Sequence, residues 1–267
     1  MAMIVKHNLQ AMNSQRMLSV NSSTLSKSTE KLSSGYKINR AADDAAGLSI
    51  SEKMRRQVRG LTQASANAQD GVSMVQTAEG ALNEVHDMLQ RLNELAVKAN
   101  NGTLQSEDIT YIDDEVKQLV SEINRTSNDT KFNKKDLLST NTTYNLQVGA
   151  ESGQTISLGV SKMDASTIGV GSLTISSGAA ITSIDNAIQS VSRFRSSLGA
   201  IQNRLEHTIN NLDNVAENTQ AAESRIRDTD MAAEMVKYSN NQILAQAGQA
   251  MLAQANQANQ GVLSLLQ

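Results

Sequence analysis

The feature that most constrains the fold of this chain is a single series of apolar residues spaced three or four positions apart. Its members are Leu61, Ala64, Ala68, Val72, Val75, Ala78, Leu82, Val85, Leu89, Leu92 and Ala96. This spacing predicts one helix of roughly 55 Å with a narrow apolar seam. Proline is absent from all 267 residues, although average usage would give about thirteen. The composition therefore favours long, uninterrupted helices.

Two further seams have the same spacing. Asn100 to Gly102 supplies a stop for the first helix, and Ser106 is a plausible N-cap for the next. The second seam consists of Ile109, Ile112, Val116, Leu119 and Ile123. The third consists of Ile181, Ile184, Ile188, Val191, Phe194, Leu198, Ile201, Leu205, Ile209, Leu212 and Val215. Because narrow-seamed helices can share one core, we expect a mainly α fold built as an elongated rod of coiled-coil-like helices.

The middle of the chain changes its period. In residues 141–160, apolar residues alternate on either side of the turn between Gly149 and Gly153, which predicts one β-hairpin. Residues 161–180 are rich in Ser, Thr and Gly, a composition typical of a loop or short linker.

The two ends of the chain carry thinner apolar patterns. The N-terminal stripe repeats every seven residues and consists of Ile4, Ala11, Leu18, Leu25 and Leu32, whereas the positions that should complete it are mostly polar. The C-terminal stripe consists of Leu244, Ala247, Met251, Ala258, Val262 and Leu265, within residues 238–267 that hold no charged side chain. The C-terminus is either a polar tail or a helix stabilised by neighbouring subunits, and the spacing favours the helix.

Composition argues against several classes of function. The net charge of −3 and the six aromatic residues argue against nucleic-acid binding. Cysteine is absent, and the three histidines are not in ligand spacing, so we expect no metal, no cofactor and no catalytic site. No apolar stretch is long enough for a membrane span, and Met1 to Gln10 lacks the apolar core of a cleavable signal peptide.

One feature of the first long helix leaves two interpretations open. Arg91 and Leu95 are four residues apart and share a face about 100° from the seam of Leu92 and Ala96. Either the seam is wide at this point, or this flank contacts another protein.

With these residues in view, the chain resembles bacterial flagellin along nearly its whole length. The motifs that carry the resemblance include Leu32-Ser33-Ser34-Gly35, Ala42-Asp43-Asp44-Ala45-Ala46-Gly47, Glu79-Gly80-Ala81-Leu82-Asn83-Glu84, Gln202-Asn203-Arg204-Leu205, Ser224-Arg225-Ile226, Ala253-Gln254-Ala255-Asn256-Gln257 and Val262-Leu263-Ser264-Leu265-Leu266. The resemblance implies a non-enzymatic subunit that polymerises into the flagellar filament for motility. The nearest alternative is a hook-filament junction protein, which would not form long filaments.

The resemblance also implies a domain organisation. Residues 1–40 and 225–267 would pair as a terminal coiled-coil domain, with Leu18, Leu25, Leu32, Leu244, Met251 and Leu265 as subunit-packing residues. Residues 41–160 and 181–224 would form the core rod domain, and residues 161–180 would replace the variable outer domains of longer relatives. The chain would therefore be a short form of the family.

The partners and location follow from the same resemblance. The chain would be extracellular, in the flagellum, and exported without a cleaved signal peptide. Its partners would be further copies of itself, an export chaperone at the C-terminal helix, and the filament cap and hook-junction proteins. The segments Gln90 to Leu95 and Ile112 to Glu115 match the family's contact motifs for Toll-like receptor 5. Arg91, Leu95 and Glu115 are therefore the expected receptor-binding residues.

Overall fold

The computed structural model of the chain describes residues 8–173, 175 and 179–264. These residues form five helices and two short antiparallel hairpins. The helices are α1 Leu9–Ser34, α2 Ala45–Ala99, α3 Ser106–Asp129, α4 Ala179–Arg227 and α5 Met231–Ser264. The strands are β1 Lys131–Phe132, β2 Lys135–Asp136, β3 Thr142–Gln147 and β4 Thr155–Val160. The mainly α fold predicted from the sequence is confirmed.

Local sequence sets the ends of these helices. Asn8 caps α1 by accepting a hydrogen bond from the backbone N–H of Ala11 at 3.0 Å, and Gly35 ends it in a left-handed conformation with φ of 77°. At the start of α3 the cap is Gln105, one residue before the expected Ser106. The reason is that the Asp108 carboxylate accepts a hydrogen bond from the backbone N–H of Gln105 at 3.1 Å.

The chain divides into two compact units, which are described separately. One unit comprises Met1–Arg56 and Asn218–Gln267, and the other comprises Gln57–Glu217. The central unit holds the main apolar core, to which the seams of α2, α3 and α4 all contribute. Leu82, Leu89 and Leu92 of α2 are fully buried there. The three seams therefore share one core, as their spacing indicates.

The predicted hairpin corresponds to β3 and β4, with Tyr144 opposite Leu158. It packs closely on α2, because a Cβ atom at Gly71 would lie 2.5 Å from Cδ1 of Leu146. A second hairpin, β1 and β2, was not expected from the sequence. Its two-residue turn places Asn133 and Lys134 at φ of 47° and 64°, the left-handed pair that such tight turns require.

The segment between β4 and α4 contributes to the core of the central unit. Its residues 161–173 form turns and bends without regular secondary structure, in agreement with their composition. Met163, Ala165, Ile168 and Val170 are nevertheless buried. The backbone N–H of Ala165 donates to the Asn124 side chain at 2.9 Å, which fixes this segment against α3.

Candidate subunit-packing surface

Helices α1 and α5 pair along a polar and apolar seam in the terminal unit. Asn8 donates to the carbonyl oxygen of Ala255 at 3.0 Å, and Asn21 donates to that of Asn241 at 2.8 Å. Residues further along α1 therefore meet residues nearer the start of α5, so the two helices are antiparallel. The buried and half-buried positions recur in alternating steps of three and four: Ala11, Ser14, Leu18, Asn21, Leu25, Ser28 and Leu32 on α1, and Glu234, Tyr238, Asn241, Ala245, Gly248, Leu252 and Ala255 on α5. This is the spacing of a coiled coil.

The expected packing leucines of α1 lie in this seam within the chain. Leu18, Leu25 and Leu32 are all half-buried. Gly248 provides the space opposite Leu18, because a Cβ atom at Gly248 would lie 3.3 Å from Cδ1 of Leu18. Each leucine alternates with a small or amide side chain, which explains why the stripe is thin when only its apolar members are counted.

The end of the seam holds a buried carboxylate. Glu234 is 5% exposed, and the Ser28 hydroxyl donates a hydrogen bond to its Oε1 at 2.7 Å. That hydrogen bond lowers the pKa of Glu234, burial acts in the opposite direction, and Lys237 lowers the pKa further. The carboxylate therefore remains charged near neutral pH while it joins the two helices.

The described residues of the C-terminal stripe, unlike the leucines of α1, do not lie in the seam between α1 and α5. Leu244 and Met251 are each 59% exposed and do not belong to the seam with α1. Leu265 lies outside the described residues. The residues of α5 that do face α1 are mostly small or polar and carry almost no apolar signal in the sequence.

Apolar side chains cover much of the outside of the helix pair. Those that are at least half exposed are Leu9, Met12, Met17 and Val20 on α1, and Met235, Val236, Ile243, Leu244 and Met251 on α5. We call these nine side chains the outer apolar set. Scattered apolar residues are normal on a protein surface, but such a density on two paired helices is typical of a contact surface. From Tyr238 onward α5 contains no charged residue that would oppose its burial.

A cluster that the sequence did not reveal lies at the junction of α4 and α5. Arg227, the last residue of α4, pairs with Glu52 at 2.8 Å, and its guanidinium lies 4.7 Å from the ring centroid of Tyr36. The backbone N–H of Thr229 donates to the carbonyl oxygen of Gly35 at 3.0 Å. The cluster therefore fixes the chain between α1 and α2 to the chain between α4 and α5.

The expected receptor-binding residues lie on α2 and α3 of the central unit. Arg91 bonds Glu115 at 2.9 Å and Glu94 at 2.9 Å, and these two carboxylates raise the pKa of Arg91, with the hydrogen bond to Glu94 the largest single cause. The side chains of Arg91 and Glu115 are 51% and 44% exposed. Both are therefore accessible, and they are joined to each other.

Leu95 is buried, although it lies on the same flank of α2 as the exposed Arg91. It is only 3% exposed and belongs to the main apolar core. The seam of α2 is wide at this point because α3 packs beside it, where Ile112 and Val116 are also buried. Of the two interpretations of this flank, the burial of Leu95 therefore favours the wide seam, and receptor binding by Leu95 stays a prediction.

The described residues hold no group of three or more His, Asp or Glu side chains that could bind a metal ion. Of the histidines, His207 is exposed, and His86 is half-buried with its Nε2 atom 2.9 Å from the amide nitrogen of Gln90. His7 lies outside the described residues. None of the helices in the described part of the chain is long and apolar enough to cross a membrane.

Comparison with known proteins agrees with the mainly helical fold. The chain is similar to the solved crystal structure of Bacillus cereus flagellin, with a TM-score of 0.50 and 32% identity over 55% of this chain and 88% of that one. The fold is thus that of a flagellar filament protein.

The sequence comparisons define the family. Residues 5–143 match the bacterial flagellin N-terminal helical region, and residues 181–266 match the bacterial flagellin C-terminal helical region. A flagellin of Halalkalibacterium halodurans is 56% identical over 99% of this chain and 100% of its own length. A flagellar filament 31.3 kDa core protein of Treponema maltophilum is 48% identical over the same shares. The chain belongs to the bacterial flagellin family and is a structural subunit of the bacterial flagellar filament.

Proposed function

We propose that the outer apolar set is the surface through which copies of this chain pack against one another in the filament. The observation that carries the proposal is the density of large apolar side chains on α1 and α5, several of them about 60% exposed. Burying these side chains against other copies would remove a large apolar surface from water and stabilise the polymer. Leu18, Leu25 and Leu32 would contribute indirectly, because they hold α1 against α5.

Seeded elongation tests this proposal. Purified chain is added to short filament fragments, and growth is followed by light scattering and negative-stain microscopy. We expect the double variant I243N/L244N to elongate at least about tenfold more slowly than the wild type, because it places two polar groups where apolar contact is needed. The matched control is Gln249→Asn, which adds asparagine at an exposed polar position of the same helix.

The two kinds of outcome are distinct. Normal growth of I243N/L244N would show that the outer apolar set is not the packing surface. Long filaments from the wild type would also separate a filament subunit from a hook-filament junction protein, which would stop at short assemblies.

We further propose the export route that family membership suggests. The chain would leave the cell through the flagellar export apparatus without cleavage of an N-terminal signal, and a chaperone would cover α5 until assembly. The support is chemical, since Ile243, Leu244 and Met251 would otherwise be exposed to water before assembly. The filament cap and the hook-junction proteins would contact the same terminal helices. Mass spectrometry of secreted protein should find an N-terminus at Met1 or Ala2, and a start deeper in the chain would contradict this route.

A second function that we propose is recognition by Toll-like receptor 5. Its support is the accessible pair of Arg91 and Glu115, two charged groups on adjacent helices that the receptor could bind together. Leu95 would act as a positioning residue, because it fixes this turn of α2 against the core.

The test is binding of the soluble receptor ectodomain to the monomeric chain. We expect Arg91→Ala to weaken binding about thirtyfold, as for a single hot-spot residue. The matched control is Arg125→Ala. Arg125 is an exposed arginine on α3 and, like Arg91, it forms ion pairs with two carboxylates. Equal affinity of Arg91→Ala and the wild type would overturn the proposal, as would the absence of binding by the wild type.

A further inference from the structure

Methionine is concentrated on the outside of the terminal helix pair. The chain has 11 methionines but no cysteine and no tryptophan, so methionine is its most easily oxidised side chain. Five are exposed in the described residues, all in α1 and α5: Met12, Met17, Met231, Met235 and Met251, with exposed fractions from 47% to 63%. We call these the exposed methionines. In the central unit, Met74 and Met163 are only 4% and 8% exposed.

The position of the methionines on the terminal helix pair matters for both packing and oxidation. Methionine suits a surface that must pack against several neighbours, because its side chain is flexible and polarizable. The same thioether accepts oxygen and becomes a polar sulfoxide, and its susceptibility rises with exposure. Four of the exposed methionines, Met12, Met17, Met235 and Met251, belong to the outer apolar set.

We propose that the four exposed methionines of the outer apolar set are an oxidation site at which a peroxide stops the chain from polymerising. The inference rests on the proposed function of the outer apolar set. A sulfur lone pair attacks one oxygen of hydrogen peroxide, an S–O bond forms and the O–O bond breaks. The second oxygen leaves as hydroxide with both electrons of that bond. It then takes the proton from the oxygen now bound to sulfur, which gives water and the sulfoxide. The sulfur is oxidised by two electrons, and the peroxide is reduced by two.

The consequence follows from polarity. A sulfoxide oxygen is a strong hydrogen-bond acceptor, and its burial in a contact between apolar side chains leaves it without a partner. Oxidation before assembly therefore blocks addition to the filament, whereas assembly itself covers the sulfur atoms. Since methionine sulfoxide reductases return the thioether, the block is reversible.

The first measurement concerns selectivity. The full-length monomer is treated with hydrogen peroxide, and peptide mass spectrometry follows each methionine over time. We expect Met12, Met17, Met235 and Met251 to oxidise at least about tenfold faster than Met74 and Met163, which serve as internal controls. In filaments treated in the same way, those four should oxidise more slowly than in monomers. Equal rates at exposed and buried methionines, or no protection in filaments, would overturn the proposal.

The second measurement concerns polymerisation. The variant M12L/M17L/M235L/M251L replaces each thioether with an apolar side chain of similar volume that peroxide does not oxidise. Its elongation rate before treatment is measured first and serves as its own reference. After peroxide treatment the wild type should elongate at least about tenfold more slowly, the leucine variant should be unaffected, and treatment with methionine sulfoxide reductases of both stereospecificities should restore the wild type.

The outcomes separate this inference from the function on which it rests. If the wild type carries sulfoxides at these positions and still elongates normally, the oxidation site is refuted while the packing surface stands. If the treated leucine variant is as slow as the treated wild type, the damage lies elsewhere and the inference is again refuted. If I243N/L244N elongates as the wild type does, the proposed packing surface fails and the inference fails with it.

Discussion

The guanidinium of Arg227 lies over the ring of Tyr36, with its central carbon 4.7 Å from the ring centroid. The Arg227 side chain is only 13% exposed, and it also pairs with Glu52 of α2. Tyr36 follows the last turn of α1, and α5 begins four residues after Arg227. The cluster thus holds the C-terminal end of α1 beside the start of α5, and so helps to set the register in which the two helices pair.

We expect Arg227→Ala to destabilise the terminal unit by about 1–2 kcal/mol. The change removes a cation–π contact and an ion pair whose arginine is mostly buried, although Glu52 is half-exposed and water weakens that pair. Urea unfolding of the full chain, followed by circular dichroism, measures the difference. Arg225→Ala is the control, because Arg225 is an exposed arginine two residues away. Equal midpoints for the two variants would contradict the structural role of Arg227.

Leu95→Ala tests the burial of Leu95. Because the side chain is 3% exposed within the main core, we expect the substitution to cost about 2–4 kcal/mol of unfolding free energy. Arg91→Ala, on the exposed flank one turn earlier, should leave the unfolding midpoint unchanged. If Leu95→Ala were as stable as the wild type, Leu95 would be an accessible residue in solution. The comparison also separates loss of receptor binding through unfolding from loss of a direct contact.

Much of the helical fold was predictable because the three long seams are apolar and regular. The predicted start of α2 at Leu61 was nevertheless late, since the helix begins at Ala45. Its buried positions before Leu61 are Gly47 and Ser51, which contribute no apolar signal. The small β1–β2 hairpin was missed for a similar reason. It depends on the left-handed conformations of Asn133 and Lys134, and no apolar alternation marks it.

The candidate surface was only partly predictable. The heptad of Leu18, Leu25 and Leu32 identified the face of α1 that packs, because these leucines are the largest side chains of its seam. The apolar stripe with Leu244 and Met251 identified a face of α5 that points away from α1. The face that meets α1 is formed by residues such as Asn241, Ala245 and Gly248, which indicate close approach and not hydrophobicity. Arg227 was not predictable at all, because its partners are distant in sequence.

Asp164 offers a test of how the segment after β4 is held. Its carboxylate accepts hydrogen bonds from the hydroxyls of Ser166 and Thr167 and pairs with Lys162. Burial alone would raise the pKa of Asp164, but these hydrogen bonds together hold it well below its usual range. We expect Asp164→Ala to increase amide hydrogen exchange at Ala165, Thr167 and Ile168 at least about tenfold, because the turn loses its acceptor. Unchanged exchange there, with α3 as the internal reference, would contradict this role.

The last prediction concerns the dependence of helix pairing on pH. In the folded chain the hydrogen bond from Ser28 lowers the pKa of Glu234 below its ordinary value of 4.5, against the effect of burial and with help from Lys237 and Lys31. A carboxyl group whose pKa is lower in the folded state stabilises that state above its unfolded pKa, and this contribution is lost as the pH falls through the folded value. Pairing of α1 with α5 should therefore be unaffected between pH 5 and 7 and weaken below about pH 4.

Two substitutions test whether Glu234 is responsible. Glu234→Gln keeps the size of the side chain and an oxygen that can accept from Ser28, but it cannot titrate, so its thermal midpoint should depend less on pH between about 5 and 3 than that of the wild type. Ser28→Ala removes the largest cause of the lowered pKa, so the variant should lose less stability than the wild type as the pH falls from about 5 to 3. The midpoints are measured by circular dichroism on assembled full-length chain. Lys27 and Lys31 line the same groove as Ser28 and Glu234. An equal pH dependence in Glu234→Gln and wild type would assign the effect to other carboxylates.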